Sequence, residues 1–153
     1  MKAIVLAALT VALSPVAFAA KSAPVTISDA RIFAPIKGTN ATAGYGVITN
    51  TTDKEVTVTV EKIEPFKAVE MHETVEKDGR MSMQKVEKLT IPAKKSAELK
   101  PGGNHIMLFD PTREVKADET LKVSLKVNGK VESFDFKVIP RVETKKEEHH
   151  HHH

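Results

Sequence analysis

Two histidines and two methionines, His72, Met83, His105 and Met107, stand in the pattern H-x10-M-x21-H-x-M. They are the residues of this chain best suited to chemistry. Two imidazoles and two thioethers make a soft, neutral donor set. Such a set suits Cu(I), because thioethers are soft donors and hard cations prefer oxygen. The chain has no cysteine, so methionine supplies all of its soft sulfur. Before the C-terminal histidine run there are only two histidines, and both fall in the pattern. Met81, two residues from Met83 and therefore on the same face of an extended strand, is a secondary candidate donor.

Each of these residues alone has a plainer reading. Methionine usually fills core gaps, and a lone histidine is usually surface. Strand alternation separates the two readings in part. In His-Ile-Met-Leu-Phe, Ile106 and Leu108 share one face, which leaves His105 and Met107 pointing outward or toward a loop rim. Around His72, Met71 belongs to the apolar face, while His72 shares the other with Glu70 and Thr74. Met81 and Met83 share a face opposite Ser82 and Gln84, and that face could equally be core.

Other chemistries fit less well. Blue-copper electron transfer needs a Cys ligand. Hydrolytic zinc sites favour His with Glu or Asp and an open position. Glu70, Glu73 and Glu76 lie near His72 but read as solvated surface. No Ser/His/Asp or paired-carboxylate arrangement stands out, so no catalytic residues, no organic cofactor and no enzyme activity are expected. Gly102-Gly103 lacks a phosphate-loop context and reads as a turn that presents His105.

The elements that must hold these residues are strands. Runs from Val25 to Ala34, Gly44 to Asn50, Glu55 to Ile63, Val69 to Glu76, Met81 to Ile91, Ser96 to Leu99, His105 to Phe109, Leu121 to Val127 and Val131 to Ile139 are short and bounded by turn residues. Asp78-Gly79 and Asn128-Gly129 read as two-residue hairpin turns. Residues 112–119 could hold one helical turn. No stretch has sustained helical periodicity. The expectation is all-β: one antiparallel Greek-key β-sandwich domain spanning residues 20–142.

The first nineteen residues read as a secretory signal peptide, with Lys2, the apolar run Ala3 to Leu13 and the cleavage signal Ala17-Phe18-Ala19. A periplasmic, soluble protein without membrane insertion is expected, since that run is too short to span a bilayer. A net charge of +3, with lysines and acids interspersed, gives no basic stripe and no expectation of nucleic-acid binding. Residues 143–153 form a charged tail ending in His149, His150, His151, His152 and His153. Such a tract is expected to be disordered and to bind Cu(II) as a second, independent site, whether natural or a purification tag.

The chain resembles the PCu(A)C family of periplasmic copper chaperones. The resemblance rests on Met71-His72-Glu73, the Asp78-Gly79 turn, Met81-Ser82-Met83, Ile91-Pro92-Ala93, Leu99-Lys100-Pro101-Gly102-Gly103 and His105-Ile106-Met107-Leu108. Ala43-Gly44-Tyr45 and Asn50 are similar to the family's first core strands. It covers about residues 23–140. Thr74 departs from the pattern, since relatives commonly carry Met there. The resemblance implies a cupredoxin-like fold and one Cu(I) held near a surface edge by His72, Met83, His105 and Met107. It also implies a monomeric metallochaperone that delivers copper to the binuclear copper site of cytochrome c oxidase, with a thioredoxin-like copper protein as a second candidate partner. The rival readings are a periplasmic copper buffer or resistance protein and a metal-free β-sandwich interaction module.

Overall fold

The run Thr-Leu-Lys-Val-Ser-Leu-Lys-Val shows in miniature why this chain makes strands. Leu121, Val123, Leu125 and Val127 are all buried, and the residues between them are not. A computed structural model describes residues 23–141. Its strands are β1 Val25–Phe33, β2 Ala41–Asn50, β3 Val56–Ile63, β4 Phe66–Lys77, β5 Arg80–Lys85, β6 Leu89–Ile91, β7 Ser96–Leu99, β8 Asn104–Pro111, β9 Thr120–Val127 and β10 Lys130–Ile139. The signal-peptide reading of residues 1–19 and the histidine-tail reading of 143–153 lie outside the described residues.

The strands hydrogen-bond in the order β5-β4-β8-β7-β2-β1-β10-β9-β3-β6, and β8 also pairs with β2. Most pairs are antiparallel; β1–β10 and β7–β8 are parallel. The ribbon folds back so that β3 packs against β4. One core results, with Ile32, Ile48, Met71, Ile106, Leu108, Leu125 and Phe136 among its fully buried side chains. The expected all-β architecture is therefore present, and where antiparallel pairing is expected throughout, β1–β10 and β7–β8 are parallel.

Two further details differ from the sequence reading. The run from Met81 to Ile91 is two strands, because β5 pairs with β4 while β6 pairs with β3, near opposite ends of the ribbon. The chain turns between them, where the Val86 N–H donates to the Met71 carbonyl at 2.8 Å. Residues 112–119 hold no helical turn. There Glu119 accepts hydrogen bonds from the Arg113 guanidinium and the Lys116 N–H, while Val115 enters the core. Both hairpins are as expected: Asp78 and Gly79 have φ of 53° and 72°, and Asn128 and Gly129 have 47° and 81°. Positive φ at both central residues is the signature of a type I′ turn, whose twist matches its flanking strands.

Candidate metal centre

Strand register turns the long sequence spacings into neighbours. Between β4 and β8, His72 lies opposite His105 and Glu70 opposite Met107. Between β4 and β5, Thr74 lies opposite Met83 and Glu76 opposite Met81. Between β2 and β8, Ala43 lies opposite Met107. Residues directly opposite share a sheet face. His72, His105, Met107 and Met83 therefore stand on one outward face, and Met71, Ile106 and Leu108 go to the core behind it.

The two imidazole rings are 6.0 Å apart between centroids, inclined at 49°. Each uses one nitrogen for a hydrogen bond. His105 Nδ1–H donates to the Gly103 carbonyl at 2.9 Å. His72 Nε2–H donates to the Glu70 carboxylate at 2.7 Å. A neutral imidazole that donates through one nitrogen keeps a lone pair on the other. Those others, His72 Nδ1 and His105 Nε2, are both buried and have no hydrogen-bond partner. A buried unpaired acceptor costs roughly 1–3 kcal/mol, so two of them on directly opposed residues of adjacent strands point to an electron-pair acceptor that completes the site. Metal-binding histidines characteristically have this form, with one nitrogen fixed by a carboxylate or carbonyl and the other left for the metal.

Glu70 corrects the reading of the three glutamates as plain surface. It accepts from His72 and, on its other oxygen, from Lys85 at 3.1 Å. These bonds hold its carboxyl below the usual carboxylate range, the His72 bond most of all. Glu73 reaches only Gln84, at 3.4 Å, and Glu76 is exposed.

A concavity of about 280 Å³ lies on this face, walled by Tyr45, Thr74, Met83, His105, Met107 and Arg141 among others. His105 is only 3% exposed although it points away from the core. The Gly103 carbonyl accepts from its Nδ1–H, and Pro101 and Gly102 of the same turn, Gly102 at φ 79°, line the concavity with it. Met107 is half-buried. Met83 and Met81 are each 63% exposed, so the methionine face of β5 is not core. Met83 lines the concavity and Met81 does not. His72 stands beside it, its ring also 6.3 Å from that of Phe109. Among the described residues, no group of three or more His, Cys, Asp or Glu could hold a metal ion. Beyond the two imidazoles, the soft donors on this face are the thioethers of Met83 and Met107.

Sequence reasoning passed over the other side of the concavity. Tyr45 is the only tyrosine of the chain. Its ring lies 6.4 Å from His105 and edge-on to Phe33 at 5.5 Å. Burial pushes its hydroxyl pKa up, against the opposing pull of Arg141 and Arg31. The available signal was Gly44-Tyr45-Gly46. A Cβ at Gly46 would lie 3.2 Å from the Ser28 carbonyl oxygen, so β2 must run bare against β1 beside this ring.

A profile of the LpqE-like family, described as "Putative lipoprotein LpqE-like", matches residues 25–138. The chain belongs to this family. A protein of Leifsonia xyli subsp. xyli, "Putative lipoprotein Lxx21020", is 32% identical over 90 residues, which are 58% of this chain and 54% of that protein. The chain thus spans about half the length of that curated relative. The apo PCuAC domain from PmoF1 matches with a TM-score of 0.66 and 18% identity, over 80% of this chain and 98% of that domain. The solution structure of Cu(I)-bound DR1885 from Deinococcus radiodurans matches with a TM-score of 0.61 and 26% identity, over 82% of this chain and 83% of DR1885. The fold of the LpqE-like chain is the cupredoxin-like β-sandwich of PCuAC domains.

Proposed function

We propose that this protein is an extracytoplasmic carrier of Cu(I). It binds one ion through His72 Nδ1, His105 Nε2 and the sulfurs of Met107 and Met83, and passes it to an acceptor protein. The observation that carries this reading is the pair of buried, unpartnered ring nitrogens on adjacent strands, with two thioethers on the same face. Copper is cargo here. Neutral imidazole and thioether donors hold Cu(I) less strongly than thiolates, so transfer to a thiolate site runs downhill. The Cu(I)-bound state of DR1885 and the lipoprotein descriptions of the relatives support the cargo and an exported location. The finer reading is periplasmic delivery to the binuclear copper site of cytochrome c oxidase by a monomer. A His149–His153 tract binding Cu(II) would be a separate site.

The test loads protein truncated after Val142 with Cu(I) and mixes it anaerobically with a reduced apo oxidase copper domain, while a chelator removes free copper. A chaperone metallates the acceptor despite the chelator, and Met107→Ala abolishes this. Metallation only at the rate of free copper release would instead make the protein a copper buffer.

A further inference from the structure

The concavity has two unlike sides. On the β5 side stands the exposed thioether Met83, with exposed Met81 on the same strand face outside the lining. On the other stands the guanidinium of Arg141, with that of Arg31 behind the Tyr45 ring outside the lining. Arg31 lies 5.6 Å from the centre of the Tyr45 ring, directly across the β1–β2 pair. Arg141 lies 5.4 Å from the centre of the Phe33 ring and forms part of the concavity wall. Phe33 and Tyr45 touch each other, and Tyr45 touches His105. Arg31 is thus separated from His105 by the Tyr45 ring, and Arg141 shares the concavity wall with His105, Met107 and Met83.

Among the described residues, neither arginine is paired with a carboxylate, although nine Lys or Arg ion pairs form elsewhere on the chain. Arg31 spends one N–H on the Asp29 carbonyl at 3.0 Å. A cation–π contact uses the charge of a guanidinium and leaves its in-plane N–H donors for another partner. The four candidate donors are neutral with copper absent and carry +1 with Cu(I) bound. Bound Cu(I) therefore adds a positive charge to a site that Arg31 and Arg141 flank on one side, while the nearby Glu70 carboxylate is held by His72 and Lys85.

We propose that Arg31 and Arg141 are a docking patch for carboxylates on the copper acceptor, while Met81 and Met83 meet an apolar part of the same partner. This rests on the Cu(I)-carrier reading and names the partner's surface: acidic on one side of its own metal site and apolar on the other. Methionine is suited to the apolar half because its flexible side chain adapts to different surfaces. Arginine is suited to the charged half because its fork matches a carboxylate in two bonds. Such a surface orients the acceptor and speeds encounter more than it strengthens binding. In the transfer itself, copper stays Cu(I). Two acceptor thiols lose their protons to solvent and bind the metal as the imidazole and thioether donors let go.

The experiment uses two dithiol peptides of equal length as acceptors, one flanked by glutamates and the other by glutamines. The full-length protein and an Arg31→Gln/Arg141→Gln variant are each loaded with one equivalent of Cu(I), verified by chelator competition, and transfer is timed by stopped flow at low and high salt. Wild type should metallate the glutamate peptide about tenfold faster at low salt, an advantage that shrinks as salt screens it. The variant should lose the preference, and Arg31→Lys/Arg141→Lys should regain most of it, because the charge is restored. Equal rates for the two peptides, or a preference that survives in the glutamine variant, would overturn the docking patch while leaving Cu(I) carriage intact. Failure of wild type to take up Cu(I) would overturn the carrier reading and this proposal with it.

Discussion

The chain has two hairpins built on the same turn chemistry, Asp78-Gly79 between β4 and β5 and Asn128-Gly129 between β9 and β10. They serve opposite ends. β9 buries every second residue, and Leu121, Val123, Leu125 and Val127 form one wall of the core. β5 buries none of its six residues. It is the edge of the ribbon, hydrogen-bonded only to β4, and its Arg80 and Lys85 give that edge the charge that discourages strand addition. One hairpin therefore holds the scaffold together, and the other displays thioethers. The contrast teaches that turn type sets the path of the chain, while the pattern of the returning strand decides whether it stabilises or presents.

The contrast is easiest to break from the scaffold side. Leu125→Ala should lower stability by about 2–5 kcal/mol, because Leu125 is fully buried. Urea denaturation measures this. Met71→Ala, behind the site, should cost a similar amount and leave Cu(I) uptake in place. Met83→Ala should change stability by no more than about 0.5 kcal/mol, as an exposed position, yet weaken Cu(I) binding in a chelator competition. A stability loss at Met83 equal to that at Leu125 would erase the distinction.

The next effect lies within the site. His105→Ala should weaken Cu(I) binding by more than Glu70→Gln. The latter replaces the carboxylate that orients His72 by a neutral, weaker acceptor, and loss of such a partner costs at most roughly 10–100-fold in metal affinity. Equal losses would mean that Glu70 acts on the metal directly. Gly79→Ala and Gly129→Ala test the shared turn. Each places a Cβ at positive φ with no neighbour within 4 Å, so strain alone operates, costing roughly 1–2 kcal/mol. At Gly129 that loss should appear in global unfolding. At Gly79 it should appear mainly as faster amide exchange in β5.

The smallest effect is in acid. The Arg113 guanidinium, and after it the Lys116 N–H, hold the Glu119 carboxyl below its ordinary range. That stabilisation is complete above the unfolded carboxylate value of about 4.3. It is lost as pH falls through the lower folded value. Glu119→Gln should flatten the acid limb of a stability–pH curve without changing Cu(I) uptake. An unchanged limb would show that the clamp contributes nothing.

Much of this was legible in the residues. Both hairpins followed from Asp-Gly and Asn-Gly, and the burial of Met71 followed from alternation. Other features depend on distant pairing that no local window contains. The break between β5 and β6 arises because their partners lie near opposite ends of the ribbon. His105, buried on an outward face, has the Tyr45 and His72 rings as neighbours, which only the strand pairing brings to it. Glu70 looked like one of three surface glutamates until the register placed it beside Met107, bonded to His72 and Lys85. Arg31 and Arg141 carry no motif. Only the β1–β2 pairing brings Arg31 to Tyr45, and only the path beyond β10 brings Arg141 to the concavity.

The central claim is that particular ring nitrogens await copper: Nδ1 of His72 and Nε2 of His105. Long-range ¹H–¹⁵N correlation spectra of the ¹⁵N-labelled protein truncated after Val142, recorded before and after one equivalent of Cu(I), read these atoms individually. The account predicts that those two nitrogens shift on binding, while His72 Nε2 and His105 Nδ1 keep their protons and their bonds to Glu70 and Gly103. Binding through the opposite nitrogen of either ring, or one equivalent of Cu(I) that leaves both rings unmoved, would contradict it.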